Sequence, residues 1–281
     1  MVFTSVNHPL DIFIAQLAVN PAVLVQLDST QGSSPREAGT WMAVFADTLI
    51  GTIGGGHLEY EVTAKARALL QKNLLTTPDT VLRFALGPSL GQCCGGIVNV
   101  RFELVSAEDR PTLAVRLKPN LQPVALFGGG HVGHALVRVL SNLPFALTWI
   151  DSREGVFNDG LSANAAFNVV CEYSDPVQDA VRSLAPQSRV VIMSFSHAED
   201  LDVLASCLQR QREKADLPYI GLIGSHTKWA TFRHRLEARG FMPAELTHVT
   251  SPIGMPGIVG KEPEVIAIAV AAQLLGTLYP L

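Results

Sequence analysis

The chain has 281 residues, 48% of them hydrophobic and 16% charged, with 21 basic against 25 acidic side chains. That length favours two domains over one, and that apolar content excludes disorder. A net charge of −4 without a basic stretch argues against nucleic acid as a partner, and no apolar run reaches the ~18–20 residues of a membrane span.

No basic segment leading into an apolar run opens the chain, so no secretory signal is expected. The four cysteines are Cys93, Cys94, Cys171 and Cys207. Two of them are adjacent, a poor start for a disulfide framework, and free thiols in a reducing cytoplasm are expected.

In chain order, residues 8–19 predict a short helix and 23–27 a strand. The loop QGSSPREAGT follows, with Ser33, Ser34 and Arg36. Arginine offers a planar fork of donors suited to phosphate or a pterin carbonyl, and a surface salt bridge is the plainer alternative. A hairpin is predicted over 41–45 and 48–50, and then GTIGGGHLEYE runs into a helix through residue 71. Three consecutive glycines, Gly54, Gly55 and Gly56, are costly in conformational entropy. Bare backbone there reads as a nest of N–H groups for an oxyanion or a flat heterocycle, or as a ligand-free turn. His57 and Glu59 stand at its rim.

Strands at 80–84 and 97–103 flank a third small-residue loop, GPSLGQCCGG. Cys93 and Cys94 lack the C-x₂-C spacing of a zinc site. A thiol among glycines can be accessible, nearby N–H groups favour its thiolate, and thiolates suit a sulfur-rich metal centre or sulfur transfer. Inert buried thiols are the alternative, and Cys171 and Cys207 read that way. Residues 1–105 thus predict a mixed α/β domain. Charges and two prolines in 106–121 read as an interdomain linker.

Beyond it, strands at 124–127, 146–150, 168–170, 190–195 and 219–223 alternate with helices at 131–141, 176–184, 197–211 and 227–238. A last apolar helix occupies 263–278. This alternation over 122–281 predicts a Rossmann-like, doubly wound parallel sheet. Gly128-Gly129-Gly130-His131-Val132-Gly133 fits G-x-G-x-x-G between a strand and a helix. Gly128 permits the turn, Gly130 lets a phosphate approach the backbone, and Gly133 lets helix and strand pack closely. Asp151 closes the second strand, where a carboxylate can receive a ribose-like diol. Such glycines also occur purely for packing.

In IGLIGSHTK, Ser225 is placed as an N-cap. Lys228 lies in the first helical turn, where the dipole disfavours a cation unless an anion is near. Either the pair meets a ligand phosphate or it is a cap beside a solvated lysine. His197, beside another cap, reads first as structural. No strong general acid–base pair emerges, so no catalytic residue is assigned. The terminal helix is apolar on more than one face and needs burial, in its own domain or in a homodimer.

The ordered set GSSPREAGT, GTIGGGHLEYE, LGPSLGQCCGG, LFGGGHVGHAL, FSHAEDLDVL, YIGLIGSHTKW and SPIGMPGIVGKEPEVIAIAVAAQLL resembles the xanthine dehydrogenase accessory protein family (XdhC/CoxI), and its XdhC branch most. The resemblance implies a cytoplasmic, non-enzymatic chaperone that binds molybdenum cofactor in its molybdopterin form. It holds the cofactor while a cysteine desulfurase exchanges an oxo ligand for sulfido, then passes it to the molybdenum subunit of xanthine dehydrogenase. Many family members carry cysteine where this chain has Ser251. The cofactor's phosphate would suit either 128–133 or the triple glycine, and Cys93 or Cys94 would suit the molybdenum. The alternative reading is an NAD(P)-dependent oxidoreductase built on the C-terminal domain.

Overall fold

The apolar run AVLVQL forms the first six residues of β1 (Ala22–Gln31), the central strand of a five-stranded antiparallel sheet. The computed structural model describes residues 8–71, 80–86, 95–157 and 168–278. It divides into two units, the first spanning Asn7–Lys118 and the second taking up at Pro119.

In the first unit, α1 (Pro9–Leu17) precedes β1, followed by β2 (Trp41–Val44), β3 (Leu49–Gly51), α2 (Gly56–Gln71), β4 (Thr80–Ala85) and β5 (Ile97–Val105). The strands lie in the order β3-β2-β1-β5-β4. Because side chains alternate along a strand, β1 feeds two cores at once. Val23, Val25 and Leu27 pack with Leu58, Val62 and Ala66 of α2, while Ala22 and Leu24 join Phe13 and Leu17 of α1 on the other face.

The segment 106–121 differs from the expected linker. A 3-10 turn at Ala107–Asp109 leads into α3 (Arg110–Arg116), whose Leu113 enters the core beneath α1. Asp109 accepts from the Ser106 amide at 2.8 Å, and Arg110 Nε donates to the Ile14 carbonyl. Pro111 sits in the first turn of the helix, where a missing N–H costs nothing. Proline and charge, read as chain breakers, here start and cap a helix.

The second unit comprises β6 (Gln122–Phe127), α4 (His131–Leu140), β7 (Phe145–Asp151), β8 (Val169–Tyr173), a 3-10 segment at Val177–Arg182, β9 (Arg189–Ile192), α5 (His197–Lys214), β10 (Tyr219–Leu222), α6 (His226–Ala238), α7 (Pro243–Leu246), β11 (Val249–Thr250) and α8 (Pro263–Gly276). All pairings are parallel, in the order β8-β7-β6-β9-β10-β11. That is the doubly wound order in which the connections reverse between the first and fourth strands, here β6 and β9, opening a crevice beyond their carboxyl ends. One face packs on α5 and α6 and the other on α4 and α8. Ala267, Val270, Ala271 and Leu274 of α8 are buried within this unit, which answers much of the helix's need for burial.

Candidate functional site

The antiparallel order brings the loops 32–40 after β1 and 52–55 after β3 to one end of the first sheet, together with the end of β4 and the start of β5. The loops touch. A Cβ on Gly54 would fall 2.7 Å from Pro35 Cβ and 3.2 Å from Arg36 Cγ, and one on Gly96 would fall 2.2 Å from the Ser33 carbonyl oxygen. The Leu86 amide donates to the Gly96 carbonyl at 2.7 Å, so the chain leaves and re-enters at this end. Cys93 and Cys94 lie outside the described residues. Among the described residues, the Arg36 guanidinium is exposed and has no acceptor, so the salt bridge offered as its plainer reading does not form.

The triple glycine differs from an open nest. Gly54, Gly55 and Gly56 have φ of 123°, 74° and 67°, three successive values that residues with a Cβ avoid. Glu59 turns back into the loop, and its Oε2 accepts from Thr52 Oγ1 at 2.5 Å and from the Ile53 and Gly55 amides at 3.0 Å. The Gly54 amide donates to Thr52 Oγ1. The chain's own carboxylate occupies the position foreseen for a guest anion. Glu59→Ala is expected to destabilise the first unit by about 1 kcal/mol, read as a lower urea midpoint, because it removes the acceptor of two half-buried amides. His57 pairs with Glu61 one turn along α2.

In the second unit each glycine of the fingerprint has a separate reason. Gly128 has φ 120°, and a Cβ there would lie 2.0 Å from the Met193 carbonyl oxygen. A Cβ on Gly133 would lie 2.2 Å from the Gly128 oxygen, the close approach of α4 to β6. Gly130, the N-cap of α4, is extended, and its added Cβ would meet nothing within 4 Å. Bare main chain with open space in front of a helix start is where an anion can approach.

Asp151 departs from its expected role. Its carboxylate is buried, with Oδ2 accepting from the Gly129 amide (2.6 Å) and Arg153 Nη2 (2.8 Å). Oδ1 accepts from the Arg153 amide and Nε, both at 2.9 Å. These four bonds fill the capacity of a carboxylate and leave nothing for a ribose diol. Burial raises its pKa, but the hydrogen bonds from Arg153 and Gly129 outweigh that and hold it below the usual carboxylate value. Arg153 in turn lies over the exposed Phe195 ring, 4.5 Å from its centre.

Ser225 caps α6 as expected, its Oγ accepting from the Lys228 amide. Lys228 differs from both of its expected roles. Its Nζ donates to Asp200 Oδ2 at 2.6 Å and to the Ile223 carbonyl at 2.8 Å, and both charged side chains are nearly sealed from solvent. The anion that reconciles this lysine with its helix dipole is Asp200, whose other oxygen accepts from the Ser194 amide. Beside these groups, Ser194 Oγ is buried without a partner among the described residues, as is Ser251 Oγ after β11.

Cys207 is fully buried and its thiol is pushed up to about 12, so it stays protonated and inert; burial also raises Cys171. Among the described residues no cluster of three or more metal-ligating side chains occurs, and no described helix is long and apolar enough to cross a membrane.

A model of the XdhC Rossmann domain matches residues 124–274, and a model of the XdhC and CoxI family matches residues 15–82. The chain belongs to the XdhC and CoxI family. Its similarity to the uncharacterized protein YqeB of Escherichia coli K12 is 23% identity over 255 residues, covering 91% of this chain and 43% of that protein. The chain therefore spans less than half of that relative's length. A crystal structure from Bacillus halodurans, described as a xanthine dehydrogenase, superposes with a TM-score of 0.75 at 22% identity over 96% of this chain and 95% of that one. At that identity the likeness establishes the fold.

The structure also gives roles to residues that the sequence did not single out. The motif after β11 is held by Gln273 of α8, whose Oε1 accepts from the Tyr219 hydroxyl at 2.7 Å and the Gly254 amide at 2.9 Å. Asp200 and Arg153 were visible only as charged residues near strand ends. Their partners come from the fold, except that Arg153 stands two residues from Asp151.

Proposed function

We propose that this XdhC-family protein is a cytoplasmic accessory chaperone for xanthine dehydrogenase that holds molybdenum cofactor in its molybdopterin form. It keeps the cofactor during sulfuration by a cysteine desulfurase and hands it to the molybdenum subunit. Family membership implies the accessory role. The observation that carries the cofactor reading is the meeting of the 32–40 and 52–55 loops with Gly96 at one sheet end, where Arg36 has no acceptor among the described residues. By chemistry a thiolate of Cys93 or Cys94 suits a soft metal, and Arg36 suits a phosphate or a pterin carbonyl. In the second unit, the open main chain at Gly130 suits a terminal phosphate. Holding and transfer need no general acid–base pair, in keeping with a non-catalytic role.

Purified full-length protein is expected to retain molybdenum cofactor through gel filtration, with retention falling in Cys93→Ala or Cys94→Ala. Retention no better than an unrelated control ends this reading.

The strand order and the glycine turn favour a second reading, an NAD(P)-dependent oxidoreductase. The filled capacity of Asp151 weighs against it. Energy transfer to NADH or NADPH should show no saturable binding, and micromolar saturation would restore the oxidoreductase.

A further inference from the structure

We propose that the first unit carries a second binding site, for a small oxyanion, anchored by Arg67. A cavity of about 500 Å³ lies among residues from the end of α1, the turn between β2 and β3, and the last turns of α2. Its polar lining is Gln16, Asn20, Asp47, Thr48, Arg67 and Gln71. The β2–β3 turn and the end of α2 place it away from the glycine loops, which sit at the opposite ends of the same elements. The volume falls within the range of small-molecule sites.

Arg67 makes the cavity more than a dent. Among the described residues no acceptor meets its guanidinium; its Nε is sealed from solvent, so a guest in the cavity meets the Nη groups at the far end of the fork. Among the described residues, the other arginines that are buried or half-buried all donate to an acceptor. Arg101 donates to Asp28, Arg110 to Ile14, Arg153 to Asp151, Arg189 to Thr277 and Arg210 to Asp216. Arg67 alone has none. A guanidinium carries five donors in one plane, and a shielded donor without an acceptor is destabilising. A carboxylate or phosphate supplies two acceptors in the matching geometry.

The rest of the lining narrows the guest. Gln16 Nε2 donates to Thr48 Oγ1 at 2.6 Å, which leaves the Thr48 proton and the Gln16 carbonyl oxygen for other partners. Asp47 adds a negative charge at the same cavity, which disfavours a dianion and favours a carboxylate that also bears a hydrogen-bond donor. A free α-amino acid has that pattern. Nothing in this site depends on the molybdenum cofactor reading.

The test titrates the full-length protein with L-glutamine, acetate and inorganic phosphate in separate arms, followed by amide chemical shifts. Saturable shifts confined to the lining residues at millimolar ligand support the site, and the arm that saturates first separates carboxylate from phosphate. Arg67→Met should weaken binding about tenfold or more and Arg67→Lys should restore it only in part, because the flat fork is lost. Arg67→Met should also melt no lower than the parent chain, since it removes a shielded donor that had no acceptor. Should Arg67→Met fail to fold, Asp47→Asn on the exposed turn supplies the second test, raising phosphate affinity relative to L-glutamine. No saturable shift in any arm, or binding untouched by Arg67→Met, overturns the proposal.

Discussion

Lys228→Ala is expected to lower the stability of the second unit by about 3–5 kcal/mol, since it leaves the Asp200 carboxylate buried without its counter-charge. For a unit of this size that corresponds to a fall in melting temperature of roughly 6–20 °C. Asp200→Asn should be costly for the converse reason, stranding the ammonium beside the Ile223 carbonyl. Replacing both at once by Lys228→Met and Asp200→Leu should recover much of the loss, because the desolvation of two charges disappears together with their attraction. A double-mutant cycle in urea measures the coupling. A lysine held for a ligand phosphate would behave otherwise: Lys228→Ala would leave stability unchanged and weaken ligand retention. The 2.6 Å contact to a buried carboxylate favours the first outcome.

The three glycines of the α4 turn should separate cleanly by experiment. Gly128→Ala places a methyl group 2.0 Å from a carbonyl oxygen at a φ of 120°. Backbone strain and overpacking together predict a loss of about 2–6 kcal/mol. Gly133→Ala, with its Cβ 2.2 Å from the Gly128 oxygen, belongs in the same class without the φ penalty. Gly130→Ala should change stability by only about 0.5 kcal/mol, because its backbone is extended and its Cβ meets open space. The larger Gly130→Val is expected to fold at a modest N-cap cost and to crowd the approach to the helix start. If a phosphate docks there, Gly130→Val should abolish cofactor retention in a protein that still folds. Unchanged retention would move the phosphate end of the ligand elsewhere, and the first unit's loops would become the place to look.

Most strands and the long helices were legible because period-2 and period-3.6 patterns are local properties of a chain. The strands at 23–27 and 124–127 lie inside β1 and β6, and the helix foreseen at 131–141 coincides with α4 but for one residue. Legibility failed where a residue's meaning depended on a distant partner. The segment 106–121 looked like a linker because its apolar face, Leu113 and Leu117, is too short to show a period until α1 lies against it. The short α7 and β11 escaped for the same reason.

The functional residues divide along the same line. By itself the chain determined its family, its Rossmann order of elements, the glycine turn and the Ser225 cap, since each follows from residues adjacent in sequence. Only the tertiary structure decided where the charges go. Asp151 is closed off by Arg153 and Gly129, Lys228 by Asp200 and the triple-glycine loop by Glu59, while Arg67 is left without an acceptor. The physical reason is that a charge near a strand end is worth little until its neighbours exclude water. Which groups become neighbours is set by packing over tens of residues.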